Sequence, residues 1–200
     1  MSEIIKEYGL ELTKDIISKG RTTCKRGTLT YLLFGDIPSN QSISIKYGLF
    51  GEKISKKMIE HNPHLELLKC GCIDIGNDIT KDIDLLWDNK TDTIFYRELK
   101  ANLELDTEKL PAMINKINND ILPYLIKEYP EKKIDVGILY WSVYERTDLG
   151  KQCSSHIKKC ENNNIKVEHM SGFMEIIEFE WDKSDFYQYF KLIGKQINNS

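Results

Sequence analysis

Residues 82–102, DIDLLWDNKTDTIFYRELKAN, decide how the chain folds. DIDLLW and TIFYRELK read as β-strands with alternating faces, and the polar DNKTD between them is suited to closing a hairpin. Side chains alternate along a strand, so Ile83, Leu85 and Trp87 face one way and Asp82, Asp84 and Leu86 the other. In the second half Phe95 and Leu99 share one face, and Ile94, Tyr96, Glu98 and Lys100 share its opposite. Three carboxylates and an ammonium therefore collect on a hairpin that otherwise reads as core. With a short loop, Asp84 comes opposite or diagonal to Glu98, and the Cβ atoms of directly paired residues sit roughly 4.5 to 5.5 Å apart.

Two carboxylates at that separation repel unless a divalent cation bridges them and inverts the local electrostatics. Mg²⁺ suits the set, because it takes one or two carboxylates, keeps several waters and accepts phosphate oxygens. Lys100, on the same face, can hold an attacking water or hydroxide and offset charge building on a phosphate. The bland alternative is that E-x-K is only a surface ion pair worth ~0 to 1 kcal/mol. An acidic residue on the preceding strand, hairpin spacing and helices on both sides favour the metal-dependent site.

Around the hairpin the periodicity predicts an amphipathic helix over 3–18, stopped by Gly20, and a second helix over 51–61, GEKISKKMIEH, stopped by Asn62-Pro63. LTYLLFGDIPSNQ (29–41) is ambiguous between short helix and strand. ELLKCGCIDI (66–75) leads toward the hairpin. After it, Asp106 or Thr107 with Glu108 and Pro111 marks a helix start, and Leu110, Met113, Ile114, Ile117 and Ile121 line one side. KKIDVGILYWSV (132–143) reads as a buried strand, SSHIKKCENNN as a helix, NIKVEHM as a strand and DFYQYFKLIGKQI as a C-terminal helix. The order indicates an α/β fold, a central mixed β-sheet flanked by helices, in one domain of 200 residues. The N-terminal helical region, residues 1–40, is placed for DNA binding or dimerisation.

A charged fraction of 30% against 40% hydrophobic excludes a largely disordered chain. The first twenty residues lack the apolar run of a signal peptide or membrane span, and the five cysteines are an odd number, so a reduced, cytoplasmic setting is expected. A net charge of −3 gives no global attraction to nucleic acid. Any such binding must come from local clusters such as Lys19, Arg21, Lys25 and Arg26, or Lys46, Lys53, Lys56 and Lys57, which read equally well as solvated surface. Cys70, Cys72, Cys153, His156 and Cys160 do not have the spacing of a usual zinc knuckle. His61, His64 and His169 form no nucleophile-and-base pattern, so serine or cysteine hydrolysis has no support.

The pattern Asp84, thirteen residues, then Glu98-Leu99-Lys100 resembles the PD-(D/E)XK nuclease superfamily, with its restriction-endonuclease-like core. QSISIKYG (41–48), GEKISKKMIE, KDIDLLW and YRELKANLELDTEKLP are similar more narrowly to small orthodox type II restriction endonucleases, over residues 40–125. The resemblance implies Asp84 and Glu98 as metal ligands, the main-chain carbonyl of Leu99 as a third, Lys100 as catalytic lysine and Glu52 as an extra acidic ligand or water-mediated partner. The family's proline before the motif Asp is absent, and Asp82 competes for the ligand role; spacing and the acidic-x-Asp usage of related nucleases favour Asp84.

The resemblance further implies Mg²⁺, replaceable by Mn²⁺, double-stranded DNA as substrate, a homodimer on a short palindrome, and a cognate DNA methyltransferase as functional partner rather than stable complex. No membrane partner is expected. Ser42, Ser44 and Lys46 are candidates for backbone phosphates, with Asn102 at the edge of the site and Lys109 more simply a solvated helix residue. Arg146, Lys151 and Gln152 form a candidate base-reading loop, with Arg21, Lys25 and Arg26 as alternatives. Two other readings keep the same residues: a junction-resolving or repair nuclease that cuts by DNA shape, and a DNA-binding module of the same fold without catalysis.

Overall fold

A computed structural model describes residues 2–20, 40–76, 78–101, 103, 108–142 and 154–198, without the side chains of 19, 20, 40–47, 197 and 198. They pack as two compact units, 1–54 with 181–200, and 55–180. The first unit holds helix α1 (Glu3–Gly20), most of α2 (Asn40–His61) and α7 (Lys183–Asn198). Gly9 lets α1 lie close to α7, because a Cβ there would collide with the Tyr189 hydroxyl. That hydroxyl donates to the Lys6 carbonyl at 3.0 Å. An edge-to-face Phe50–Phe190 pair at 6.3 Å adds apolar contact.

α2 is longer than the predicted 51–61, because QSISIKYG joins it as helix. Phe50, Ile54, Ser55, Met58 and Ile59 are buried along it at helical spacing. No described helix is long and apolar enough to cross a membrane.

The second unit is an α/β structure around a five-stranded mixed sheet of order β1-β4-β5-β6-β7. Its strands are β1 (Glu66–Leu67), β4 (Leu85–Asp88), β5 (Thr93–Lys100), β6 (Lys133–Tyr140) and β7 (Lys166–His169). β1–β4 and β4–β5 pair antiparallel, β5–β6 and β6–β7 parallel. β2 (Gly71–Asp74) and β3 (Thr80–Ile83) form a separate antiparallel pair. The β4–β5 loop closes as the sequence suggests: the Asn89 side-chain oxygen accepts from the backbone N–H groups of Thr91, Asp92 and Thr93 at 3.1, 3.1 and 2.9 Å.

One helical segment spans the β5–β6 crossover: α3 (Leu110–Asn115), a wider π-helical stretch Lys116–Ile121, and α4 (Leu122–Glu128). Its Leu110, Met113, Ile114, Ile117, Ile121 and Leu125 pack against Ile94, Tyr96, Val136 and Ile138. The helix starts later than predicted. Lys109 is its cap, without a side-chain cap bond, and Pro111 occupies the first turn, where its missing N–H costs nothing. Residues 104–107 lie outside the described residues, as do 29–39 of the ambiguous stretch. α5 (Ser155–Glu161) and α6 (Met170–Ile176) complete the unit, and α6 has no counterpart in the predicted elements.

On the opposite face of β5, Arg97 is fully buried beside the stacked Trp87 and Phe95 rings, 5.8 and 5.7 Å from their centroids. Its Nε and Nη2 donate to Glu168 at 2.6 and 2.7 Å, and Nη1 donates to the carbonyls of Tyr96 and Asp135, each at 2.9 Å. Asp135 lies 2.8 Å from Nη2 and accepts from Lys166 at 2.5 Å. Burial pushes the Asp135 carboxyl up, but Lys166 and Arg97 outweigh it and hold the group below its ordinary range. Gly137 makes room: a Cβ there would stand 3.0 Å from the Lys166 carbonyl and 3.1 Å from Arg97 Nε.

This guanidinium joins β5, β6 and β7. Arg97→Met is expected to cost about 3 to 5 kcal/mol in urea unfolding, because it takes the guanidinium from Glu168 and leaves Asp135 with Lys166 alone. A loss under about 1 kcal/mol would show that those carboxylates find other compensation.

Candidate active site at the end of the hairpin

The site arises where the β4–β5 ladder stops. Leu85 pairs with Arg97, Leu86 with Tyr96 and Trp87 with Phe95, and the ladder ends there, with Asp84 and Glu98 the next residue on either strand. The chain bends at Asp84, between β3 and β4. KDIDLLW is therefore two strands in two sheets rather than one, and the bend resets the alternation: Ile83 and Leu86 pack in the same cluster. Without β4 to continue the ladder, the Leu99 N–H takes its partner from a side chain and donates to Asp84 Oδ2 at 2.7 Å. The N–H and C=O of one strand residue point to the same edge, so the Leu99 carbonyl also faces the Asp84 side. Lys100, one residue on, turns its carbonyl to the other edge, accepting from Trp141 N–H at 2.9 Å.

Glu98 is buried and heavily compensated. Oε1 lies 3.1 Å from Lys100 Nζ, while Oε2 accepts from Lys116 Nζ at 2.7 Å and from the Tyr96 hydroxyl at 2.6 Å. Burial pushes the carboxyl up, but the two lysines and the tyrosine hold it below its ordinary range. Burial, reinforced by the charges of Glu98, Asp84 and Asp82, raises Tyr96 well above the usual phenol value, so it remains a donor.

Of the predicted residues, Asp84, Glu98, Leu99 and Lys100 come together. Asp82 is exposed on β3, paired with Cys72, while Asp84 accepts from the Leu99 N–H beside Glu98. Glu52 is half-buried and belongs to the first unit; α2 begins at Asn40, so Glu52 does not head its helix. Ser42, Ser44 and Lys46 also lie on α2. Asn102, Arg146, Lys151, Gln152, Arg21, Lys25 and Arg26 lie outside the described residues. Lys116 was missed by sequence reasoning; its place one turn beyond Pro111 is the only signal, and it does not point to Glu98.

Among the described residues no group of three or more His, Cys, Asp or Glu side chains could hold a metal ion. Cys72 and Cys160 are free thiols, and Cys70 donates to the Leu68 carbonyl at 3.4 Å; Cys24 and Cys153 lie outside the described residues. A cation at Asp84 and Glu98 would have two carboxylates, the Leu99 carbonyl and water. That all-oxygen, sparsely protein-ligated set fits Mg²⁺ and does not fit a thiophilic ion.

Two outcomes test this geometry. Asp84→Asn keeps an acceptor for the Leu99 N–H and should unfold within about 1 kcal/mol of the parent, whereas Asp84→Ala should lose about 1 to 3 kcal/mol by orphaning that donor. Because the folded pKa of Glu98 is depressed, its stabilisation is complete above the unfolded value of about 4.3 and is lost as pH falls through the folded one. Urea unfolding between about pH 5 and pH 3 should therefore steepen with acid more in the parent than in Glu98→Gln.

No family model matches the chain, and no curated protein does. Among solved structures it is similar to Can2 from Sulfobacillus thermosulfidooxidans in complex with cyclic tetra-adenylate (cA4), at 14% identity and a TM-score of 0.39. The match covers 84% of this chain and 50% of that one, so the chain spans about half the length of Can2. A likeness of this degree carries no argument, and the α/β architecture described above rests on the strand order and register themselves.

Proposed function

We propose that the chain is a Mg²⁺-dependent nuclease of the PD-(D/E)XK kind that hydrolyses phosphodiesters of double-stranded DNA. The observation that carries this reading is the meeting of Asp84, Glu98, the Leu99 main chain and Lys100 where the β4–β5 ladder ends. Asp84, Glu98 and the Leu99 carbonyl would hold the ion, which supplies Lewis-acid polarisation of the phosphoryl oxygen and lowers the pKa of bound water. Lys100 orients the attacking water and offsets charge on the phosphate as it becomes pentacovalent. Tyr96, kept protonated by its surroundings, fixes the Glu98 carboxylate. Water is the nucleophile, and no covalent intermediate is formed.

The finer reading is a type II restriction enzyme: a homodimer with one site per strand of a short palindrome, the two-fold protein matching a two-fold target.

Incubation of the protein with plasmid DNA, with branched DNA and with Mg²⁺ tests both levels. Discrete plasmid fragments are the expected result; cutting confined to branched DNA would replace the restriction reading with a structure-specific one, and binding without cutting would leave a DNA-binding module. Glu98→Ala should lower cleavage by at least about 10²-fold, since even outer partners of metal ligands cost about 10- to 100-fold. Cleavage at the parental rate by that variant would overturn the site assignment.

A further inference from the structure

Glu98 has one negative charge and two ammonium partners, on different elements. Lys100 comes from β5 itself and reaches Oε1 at 3.1 Å. Lys116 comes from the crossover helix and reaches Oε2 at 2.7 Å, the shorter contact. Lys100 is already within ion-pair range of the carboxylate, so charge balance at Glu98 does not account for the second lysine. Lys116 is also the first residue of the π-helical stretch, a local widening frequent at functional sites. Its side chain is about one-fifth exposed, so the ammonium lies at the rim rather than sealed in the core.

A hard cation taking Glu98 Oε2 as ligand and an ammonium donating to it compete for the same lone pairs, and their like charges repel. Displaced from Oε2, a rim ammonium on a four-carbon stem has an anionic partner within reach in a nucleic acid phosphate. We propose that Lys116 is an exchangeable positioning residue. It competes with the divalent cation for Glu98 and, once displaced, pairs with a phosphate oxygen of the bound strand, so that cation loading and substrate binding favour each other. This rests on the nuclease reading and adds to it a residue from outside the hairpin motif.

The test uses the full chain with Ca²⁺, as a non-cleaving probe, and Mn²⁺, each titrated calorimetrically into the parent, Lys116→Met, Lys116→Arg and Glu98→Gln. Lys116→Met should bind the cation about three- to tenfold more tightly than the parent, because the competitor is gone. Lys116→Arg should bind it more weakly, because a guanidinium fork grips a carboxylate bidentately. A lysine that merely clamps the helix to the sheet predicts the opposite sign or no change for Lys116→Met. In Ca²⁺, the dependence of log K for DNA on log salt should be shallower by about one for Lys116→Met.

Cation affinities without the order Met, Lys, Arg from tightest to weakest overturn the proposal, as does an unchanged salt slope. The ordering of Lys and Arg decides the matter alone if the methionine variant does not fold. Parental cation binding by Glu98→Gln, or none by the parent, would instead bring down the metal-site reading beneath it.

Discussion

Everything at the candidate site follows from the end of one hydrogen-bond ladder. β4 stops at Leu85 because the chain bends at Asp84, and the next N–H of β5, that of Leu99, needs a partner that the backbone no longer supplies. A carboxylate fills the gap. An orphaned buried N–H costs about 1 to 3 kcal/mol, so the side chain at 84 is fixed in place by the fold as much as by any chemistry. Since Glu98 directly precedes Leu99, closing the ladder this way sets two carboxylates at one end of a central strand.

The second constraint is the cost of burying Glu98 as a charge. The fold meets it with Lys100, Lys116 and Tyr96, which together hold the carboxylate ionised against the pull of burial. The other face of β5 solves the same problem with the sign reversed, setting the Arg97 guanidinium against a stacked aromatic pair and anchoring it to Glu168 and Asp135. One strand therefore carries a buried anion on one side and a buried cation on the other. The cation ties three strands together, and the anion stands at the strand end with its lysines partly exposed, where a ligand can reach it.

The α/β class, the hairpin and the meeting of Asp84, Glu98 and Lys100 were legible because they depend on period-two alternation and a short loop, both local. Lys116 was not, because no sequence period tells a helix residue which strand carboxylate it will meet across the core. The break at Asp84 stayed hidden since DIDL alternates through it and no Gly or Pro marks the bend. QSISIKYG also alternates, yet it lies in a helix continuous with the buried stripe from Phe50 to Ile59. Arg97 was passed over on a face read as apolar; its partner Glu168 lies 71 residues away in sequence.

Nuclease activity at this site would require a hard cation shared by Asp84 and Glu98. A crystal of the protein soaked in Mn²⁺ and measured for anomalous scattering tests that claim most directly. The account predicts a peak at about 2.0 to 2.6 Å from carboxylate oxygens of both residues and from the Leu99 carbonyl. A peak placed elsewhere, or none at millimolar Mn²⁺ with Glu98 still gripped by Lys100 and Lys116, would contradict it.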